Sequence, residues 1–354
     1  MASLLQKAIS IFHYLYNFSI NKIMQLISEY KIIKKYLKDL YYSRNSDIKI
    51  FNYQIHEKNN YQSIDYLPFE NHWLYRFIKY KNYLKHKTET LSIFGVNGDR
   101  KAIKLNKSKY KIFYTIENVH EKQSTWIKYE DLLINEKAID LSIGFDYIVH
   151  EQYLRFPYWI MTSFEPEDDF SNIKTKCDYL NSHKIDLNIK SRFCSFISRV
   201  DYFGDRLFFY DQINSVGHVD CDGDFLHNND DLKSRYKDNK REFLKLYKFN
   251  LCPENTNFKG YVTEKIFDAI YSGCIPIYWG SENNPEPDIL NHSSIFFLNR
   301  NSDNSSVLKE LDELNRNHRL YNLFAEQNRL SKNAPEIIYN YFEQLDRKLK
   351  EIVK

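Results

Sequence analysis

Glycine and proline are scarce, at 9 and 8 among 354 residues. So few chain breakers exclude collagen-like repeats and low-complexity linker architectures. Cysteine offers no disulfide framework either. The five thiols (Cys177, Cys194, Cys221, Cys252, Cys274) are odd in number, widely spaced and never in a C-x-x-C pair. That is the pattern of reduced thiols in a cytosol-like compartment. Charge of one sign is missing too: 50 Lys and Arg against 47 Asp and Glu leave a net +3, too near balance for a whole-protein nucleic-acid binder. Long hydrophobic runs are absent. The longest uncharged stretch near the start, Ala8 to Asn21, is 14 residues long and holds His13 and Asn17, too short and polar to span a bilayer. No small-residue cleavage site follows an apolar core. The expectation is a cytoplasmic protein, or one peripheral on the inner face of a membrane, with no nucleic-acid partner.

What is present describes a folded protein: 43% hydrophobic, 16% aromatic and 27% charged residues. The length favours two domains, each able to bury its own core. Residues 1–46 stand apart, with seven basic residues against two acidic ones. Ile11, Tyr14, Leu15 and Phe18 recur there at helical spacing. A basic amphipathic helical extension is expected, either docked on an anionic membrane surface or packed on the body with its lysines solvated.

From Asp47 onward, short β-rich runs alternate with helical stretches, which implies parallel βαβ units. Strands are predicted at Ile48–Tyr53, Leu91–Gly95, Tyr110–Thr115, around Leu141–Gly144, at Phe193–Ser198, Lys248–Cys252 and Cys274–Trp279. Helices are predicted at Asp205–Asn214, Glu242–Tyr247, Thr263–Tyr271 and Pro335–Lys354. The charged stretch Glu165 to Lys190 is the expected linker. The division is therefore a first α/β lobe at 47–170, a second at 171–330 and a C-terminal helix at 331–354.

The most informative segment runs from Phe249-Asn250-Leu251-Cys252-Pro253-Glu254-Asn255-Thr256 to Gly260-Tyr261-Val262-Thr263-Glu264-Lys265-Ile266. A strand ends, a polar loop follows, and a helix begins near Thr263, a suitable N-cap. In a parallel sheet, ligands bind at this edge. A helix N-terminus suits a pyrophosphate, and Lys265 in the first turn adds a full positive charge. The alternative for Lys265 is a salt bridge to a neighbouring acid.

This run, continued by Ile275-Pro276-Ile277-Tyr278-Trp279-Gly280-Ser281, resembles the donor-site signature of the α-1,3/4-fucosyltransferases, glycosyltransferase family 10, and their bacterial members in particular. Phe113-Tyr114-Thr115-Ile116-Glu117-Asn118 resembles the family's strand-to-loop segment with the catalytic base. Ile143-Gly144-Phe145-Asp146 and Tyr153-Leu154-Arg155-Phe156-Pro157 resemble the segment after it. The likeness covers residues from about 90 to 300 in family order.

The resemblance implies an α/β, GT-B-like fold of two Rossmann-like lobes facing a cleft. It also implies inverting, metal-independent transfer of L-fucose from GDP-β-L-fucose to an oligosaccharide acceptor, the 3-hydroxyl of GlcNAc in an N-acetyllactosamine-type chain. Glu117 takes the base position, just past a predicted strand end, where one carboxylate suffices to accept the acceptor's proton. Without the surrounding match it would be a solvated loop acid. Arg206 matches the pyrophosphate arginine, whose planar fork suits phosphate; the alternative is a surface arginine paired with Asp201 or Asp205. Lys265 is its partner, and Asn255, Tyr261 and Glu264 match residues that contact the fucose, ribose or nucleotide. Arg199 is a further candidate phosphate ligand. Glu254 is assigned a structural role. Pro253 departs from the family, which more often has an apolar or aromatic residue there.

Other chemistry is written into the chain as well. Asp220-Cys221-Asp222-Gly223-Asp224 looks like the D-x-D element that holds Mn²⁺ or Mg²⁺ on a nucleotide diphosphate in another transferase fold, although such a loop more often forms a solvated turn. His218, Cys221 and His227 lack a fourth ligand for zinc. A metal-dependent transferase of another nucleotide sugar and a catalytically silent glycan- or membrane-binding protein are the competing readings. Tyr66, Trp73, Tyr75, Trp126, Tyr158 and Trp159 are aromatics for stacking on acceptor sugars or for the core.

Overall fold

A computed structural model describes residues 48–51, 72–84, 90–96, 100–182 and 189–353, together with scattered helical positions between 22 and 37. The apolar positions 11–18 of the expected N-terminal helix, and Tyr66, lie outside the described residues. Among the described residues no helix is long and apolar enough to cross a membrane.

The first lobe is one five-stranded sheet, β1 (Ile48–Phe51), β2 (Leu91–Gly95), β3 (Tyr110–Tyr114), β4 (Leu141–Gly144) and β5 (Tyr153–Arg155). Its strands run in sequence order and are all parallel. Every residue of β2 and β4 is buried, as strands covered on both faces require. The second lobe is a five-stranded parallel sheet in the order β10-β9-β8-β6-β7. Its strands are β6 (Arg192–Phe196), β7 (Val219–Cys221), β8 (Tyr247–Pro253), β9 (Ile275–Trp279) and β10 (Phe296–Phe297). Parallel strands present all their carboxyl ends at one edge, so loops far apart in sequence gather in one place.

The helices are α1 (Trp73–Lys81), α2 (Arg100–Leu105), α3 (Tyr158–Ser163), α4 (Phe170–Asn181), α5 (Asp205–Val216) and α6 (Asp231–Ser234). They continue with α7 (Lys240–Leu244), α8 (Glu264–Tyr271), α9 (Ser305–Arg316), α10 (His318–Ala325) and α11 (Ala334–Ile352).

The expected linker Glu165–Lys190 is not irregular, because α4 occupies its middle. Asp169 caps it by accepting the Asn172 N–H at 2.8 Å, and Ile173, Cys177 and Leu180 form its buried stripe. Those apolar residues sit i, i+4 and i+7 apart, a period masked by the charges between them. The C-terminal helix then crosses to the first lobe. Ile338, Phe342, Leu345 and Leu349 of α11 are buried, with the Phe342 ring 5.5 Å from Trp73 and 5.9 Å from Phe156.

Three further contacts tie the lobes together. Trp159 of α3 stacks on Phe267 of α8 at 4.2 Å and 10°. Arg155 on β5 pairs with the buried carboxylate of Glu286, beyond β9, at 2.7 Å, and the Trp159 indole N–H donates to the same oxygen at 3.0 Å. All five cysteines are free and buried.

Candidate active site

Glu117 lies three residues beyond β3. The Thr115 hydroxyl closes the turn, donating to the Glu117 carbonyl at 2.7 Å and accepting its N–H at 3.1 Å. The half-buried carboxylate faces the second lobe: the Tyr261 hydroxyl donates to Glu117 Oε2 at 3.2 Å. Next along the chain, the Asn118 amide donates to Thr256 Oγ1 at 3.0 Å. The loop after β3 is thus fastened to the loop between β8 and α8. Tyr261 is buried with its ring 5.1 Å from Phe145, and burial together with Glu117 keeps its phenol protonated.

Within the second lobe, where β8 gives way to that loop and α8 begins, is a small polar pocket lined by Phe196, Ile197, Arg206, Lys240, Asn250, Leu251, Pro253 and Lys265. Three of these are cations. Arg206, at the start of α5, is 6% exposed, so it is not the surface arginine of the alternative reading. Its guanidinium donates to the Val200 carbonyl and to Asn255 Oδ1, while its Nε is buried without a hydrogen-bond partner. Asp205 instead pairs with Arg300 at 2.9 Å. Burial disfavours the Arg206 charge and pulls its pKa below the usual arginine range, against the attraction of Glu254. A buried guanidinium with an unanswered N–H is suited to receive an anion.

Lys265 sits at the start of α8. Its ammonium donates to Glu254 Oε2 at 3.1 Å and to the Thr263 hydroxyl at 2.8 Å. The salt bridge of the alternative reading is therefore present, and in the same place Lys265 lines the pocket. The partner Glu254 is fully buried. It also accepts the Thr263 N–H at 2.8 Å, the Thr263 hydroxyl at 2.7 Å and the Tyr278 hydroxyl at 3.4 Å. The capping expectation holds in position and fails only in the side-chain bond. Thr263 has the extended backbone of an N-cap but makes no side-chain cap, because its hydroxyl is committed to Glu254. Gly280 is required here: at φ +141° a Cβ would lie 2.6 Å from Glu254 Cγ.

Glu264 is half-buried. Burial would raise its pKa, but Lys265, Lys240 and its own N–H outweigh that and hold it at about 2. Lys240, which the sequence did not single out, starts α7 and is held at 3.0 Å by Asp268 of α8. Asp268 also takes Arg241 at 2.8 Å, so two cations share one carboxylate beside the pocket. No motif marks Lys240; it gains meaning only because α7 packs on α8. Arg199 is exposed just past β6 and is not among the lining residues.

The aspartate loop is knit into the edge of the second sheet. Asp220 pairs with Arg192 at 3.3 Å, and Asp222 Oδ1 accepts the Leu232 N–H at 2.9 Å. His227 meets Asp230 at 2.9 Å and the Gly223 carbonyl at 3.0 Å. Among the described residues no three His, Cys, Asp or Glu side chains are placed together to hold a metal ion. Of the aromatics considered for sugar stacking, Trp73 and Trp159 are core residues, 9% and 0% exposed. Tyr75, Trp126 and Tyr158 are half-buried.

Comparison with known proteins gives consistent matches. The N-terminal domain of α-(1,3)-fucosyltransferase FucT matches residues 62–162, and the C-terminal domain of glycosyltransferase family 10 (fucosyltransferase) matches residues 187–337. Over 204 residues the chain is 33% identical to the α-(1,3)-fucosyltransferase FucT of Helicobacter pylori, covering 53% of this chain and 41% of that protein. It is 33% identical over 106 residues to α-(1,3)-fucosyltransferase B of Drosophila melanogaster, covering 30% and 23%. The chain thus spans less than half the length of these curated relatives. A crystal structure of an α1,3-fucosyltransferase with GDP-fucose superposes with a TM-score of 0.53 at 26% identity, covering 75% of this chain and 78% of that one. The two facing parallel lobes are the GT-B arrangement.

Proposed function

The chain belongs to glycosyltransferase family 10, the fucosyltransferases, and on that premise we propose that it transfers L-fucose from GDP-β-L-fucose to an oligosaccharide hydroxyl. The acceptor in this reading is GlcNAc O3 of an N-acetyllactosamine-type glycan, and the transfer inverts the anomeric centre. Glu117 accepts the proton of the acceptor hydroxyl as its oxygen bonds to the anomeric carbon. The bond from that carbon to the β-phosphate oxygen breaks on the opposite face, and its electron pair leaves with GDP. Arg206 and Lys265 meet the charge that develops on the phosphate, and Lys240 adds a third cation to the same pocket. Asn255, Tyr261 and Glu264 contact the fucose, ribose or nucleotide of the donor in this scheme.

One observation carries the reading: the Glu117 carboxylate, three residues beyond β3, is held by Tyr261 on the loop that leads into Lys265 of the cationic pocket. In this reading the acid comes from the first lobe and the cations from the second, as an acceptor proton and a diphosphate leaving group require. With three cations at the pocket, we propose that no metal ion is needed.

The test is incubation with GDP-fucose and N-acetyllactosamine in EDTA, following GDP release and glycan mass, with Glu117→Ala in parallel. Fucosylated product from the wild type alone supports the transfer, the metal independence and the base. Activity that EDTA abolishes and Mn²⁺ restores sinks the metal-independent mechanism.

A further inference from the structure

His120 lies three residues beyond Glu117 on the same loop, and both its ring nitrogens face carboxylates. Nε2 is 2.7 Å from Asp146 Oδ1 and Nδ1 is 2.7 Å from Glu130 Oε1. A neutral imidazole has one N–H, so its other nitrogen would turn a lone pair toward an acid; only the imidazolium donates to both. The ring also stacks on Phe258 of the second lobe, 4.6 Å between centroids at 9°, and a cation is the better guest for an aromatic face.

The surroundings are specific. Asp146, from the loop after β4, is 5% exposed and is fixed by Tyr153, whose hydroxyl donates to Oδ2 at 3.1 Å and accepts the Asp146 N–H at 2.9 Å. Glu130 comes from the 3-10 turn Thr125–Leu132 and is exposed. On the second lobe, Lys259 next to Phe258 points its ammonium at the Tyr147 ring, 5.7 Å from the centroid. The charged groups facing His120 are accordingly Asp146 and Glu130. The His120 backbone N–H donates to Asn118 Oδ1 at 3.0 Å, orienting the amide that reaches Thr256.

Three contacts therefore cross between the lobes from four consecutive residues: Glu117 to Tyr261, Asn118 to Thr256 and His120 to Phe258. We propose that His120 is a positioning residue which, as an imidazolium clasped by Asp146 and Glu130 and laid on Phe258, holds the Glu117 loop against the donor-side loop. It touches no substrate and acts through Glu117. The proposal rests on the transferase reading for its kinetic consequences.

Burial opposes the His120 charge, but the two carboxylates outweigh it and raise the pKa above 6.5. A raised value means that the clasp is complete below the ordinary histidine range and is lost as pH rises through the raised value. Turnover then has an alkaline limb that belongs to His120.

The experiment is a pH profile of kcat and KM for the wild type, His120→Gln, Glu130→Gln and Phe258→Leu. It is paired with ¹³C NMR titration of His120 and hydrogen exchange of residues 115–120 and 255–261 at pH 6.5 and 9. Wild-type kcat is expected to fall above a midpoint higher than 6.5, with faster exchange in both loops. His120→Gln is expected to lose the alkaline limb and about tenfold in kcat, with the KM for GDP-fucose held within about twofold. Glu130→Gln and Phe258→Leu, which spare the histidine, move the limb to lower pH. An unchanged alkaline limb in His120→Gln overturns the proposal, as does an imidazole that is neutral at pH 7. If no acceptor is turned over, the transferase reading fails, while the titration and the exchange still decide the clasp.

Discussion

The Tyr261 hydroxyl lies 3.2 Å from Glu117 Oε2, joining residues 144 positions apart in sequence. The bond fixes the direction of the carboxylate, and the phenol that makes it is itself buried. Replacing Tyr261 by Phe keeps the ring against Phe145 and removes only the donor. A net loss of about 1 kcal/mol is expected for such a bond, read as a drop of roughly fivefold in kcat. A change confined to the melting temperature would count against a role at Glu117.

Arg206 is a buried cation of the pocket with an unanswered N–H. Removing a charge-assisted partner of a bound anion costs about 1.5–3 kcal/mol. Calorimetric titration with GDP is therefore expected to give a Kd raised tenfold or more, to order of magnitude, for Arg206→Ala. Arg206→Lys keeps the charge but not the fork that spans Val200 and Asn255, so it restores only part of the affinity. Equal GDP affinity in all three proteins would remove Arg206 from the donor site.

Glu264 supplies a pH dependence of stability. Its pKa is held at about 2, below the ordinary 4.5. A depressed carboxylate stabilises the fold above its unfolded value and ceases to do so as pH falls through 4.5 toward 2. Up to about 3 kcal/mol of stability is expected to disappear over that window through this group. Urea unfolding at pH 5 and pH 3 should show a smaller difference for Glu264→Gln than for the wild type. An equal difference would mean that the lysines do not act on Glu264 as their placement implies.

Phe342 tests the crossing of α11. Its ring packs on Trp73 and Phe156 of the first lobe, and Phe342→Ala leaves a cavity there. The expected loss is about 3–5 kcal/mol, seen as a lower Tm. A loss below 1 kcal/mol, to order of magnitude, would mean that the helix is not held by this contact.

Seven strands were legible because hydrophobic pattern is a local property, whereas β5, β7 and β10, of two or three residues each, are too short to show one. Leu91–Gly95 and Tyr110–Tyr114 are bounded apolar runs, and their burial on both faces follows from that composition. The stripe at Ile338, Phe342, Leu345 and Leu349 gave α11 in the same way. Helix α4 was missed because charged residues interrupt its three buried positions, which register only once α11 packs against them. A strand end followed by a short loop also put Glu117 at the right edge of its sheet, since parallel strands bring their carboxyl ends together.

From sequence alone came seven of the strands, the helices that begin near Asp205, Thr263 and Pro335, the two α/β lobes and the residue types available where the strands end. Tertiary structure alone decided how those residues are used. It turned Glu254 into the buried acceptor of Thr263 and Lys265, took the Thr263 hydroxyl from its cap bond, buried Arg206 against Asn255 and brought Lys240 to the pocket. It set His120 between two acids and an aromatic ring from the other lobe. The reason is physical. Periodicity follows from the backbone geometry of neighbouring residues, whereas the charge state and partners of a side chain depend on what the fold places within a few ångströms of it and how much water it excludes.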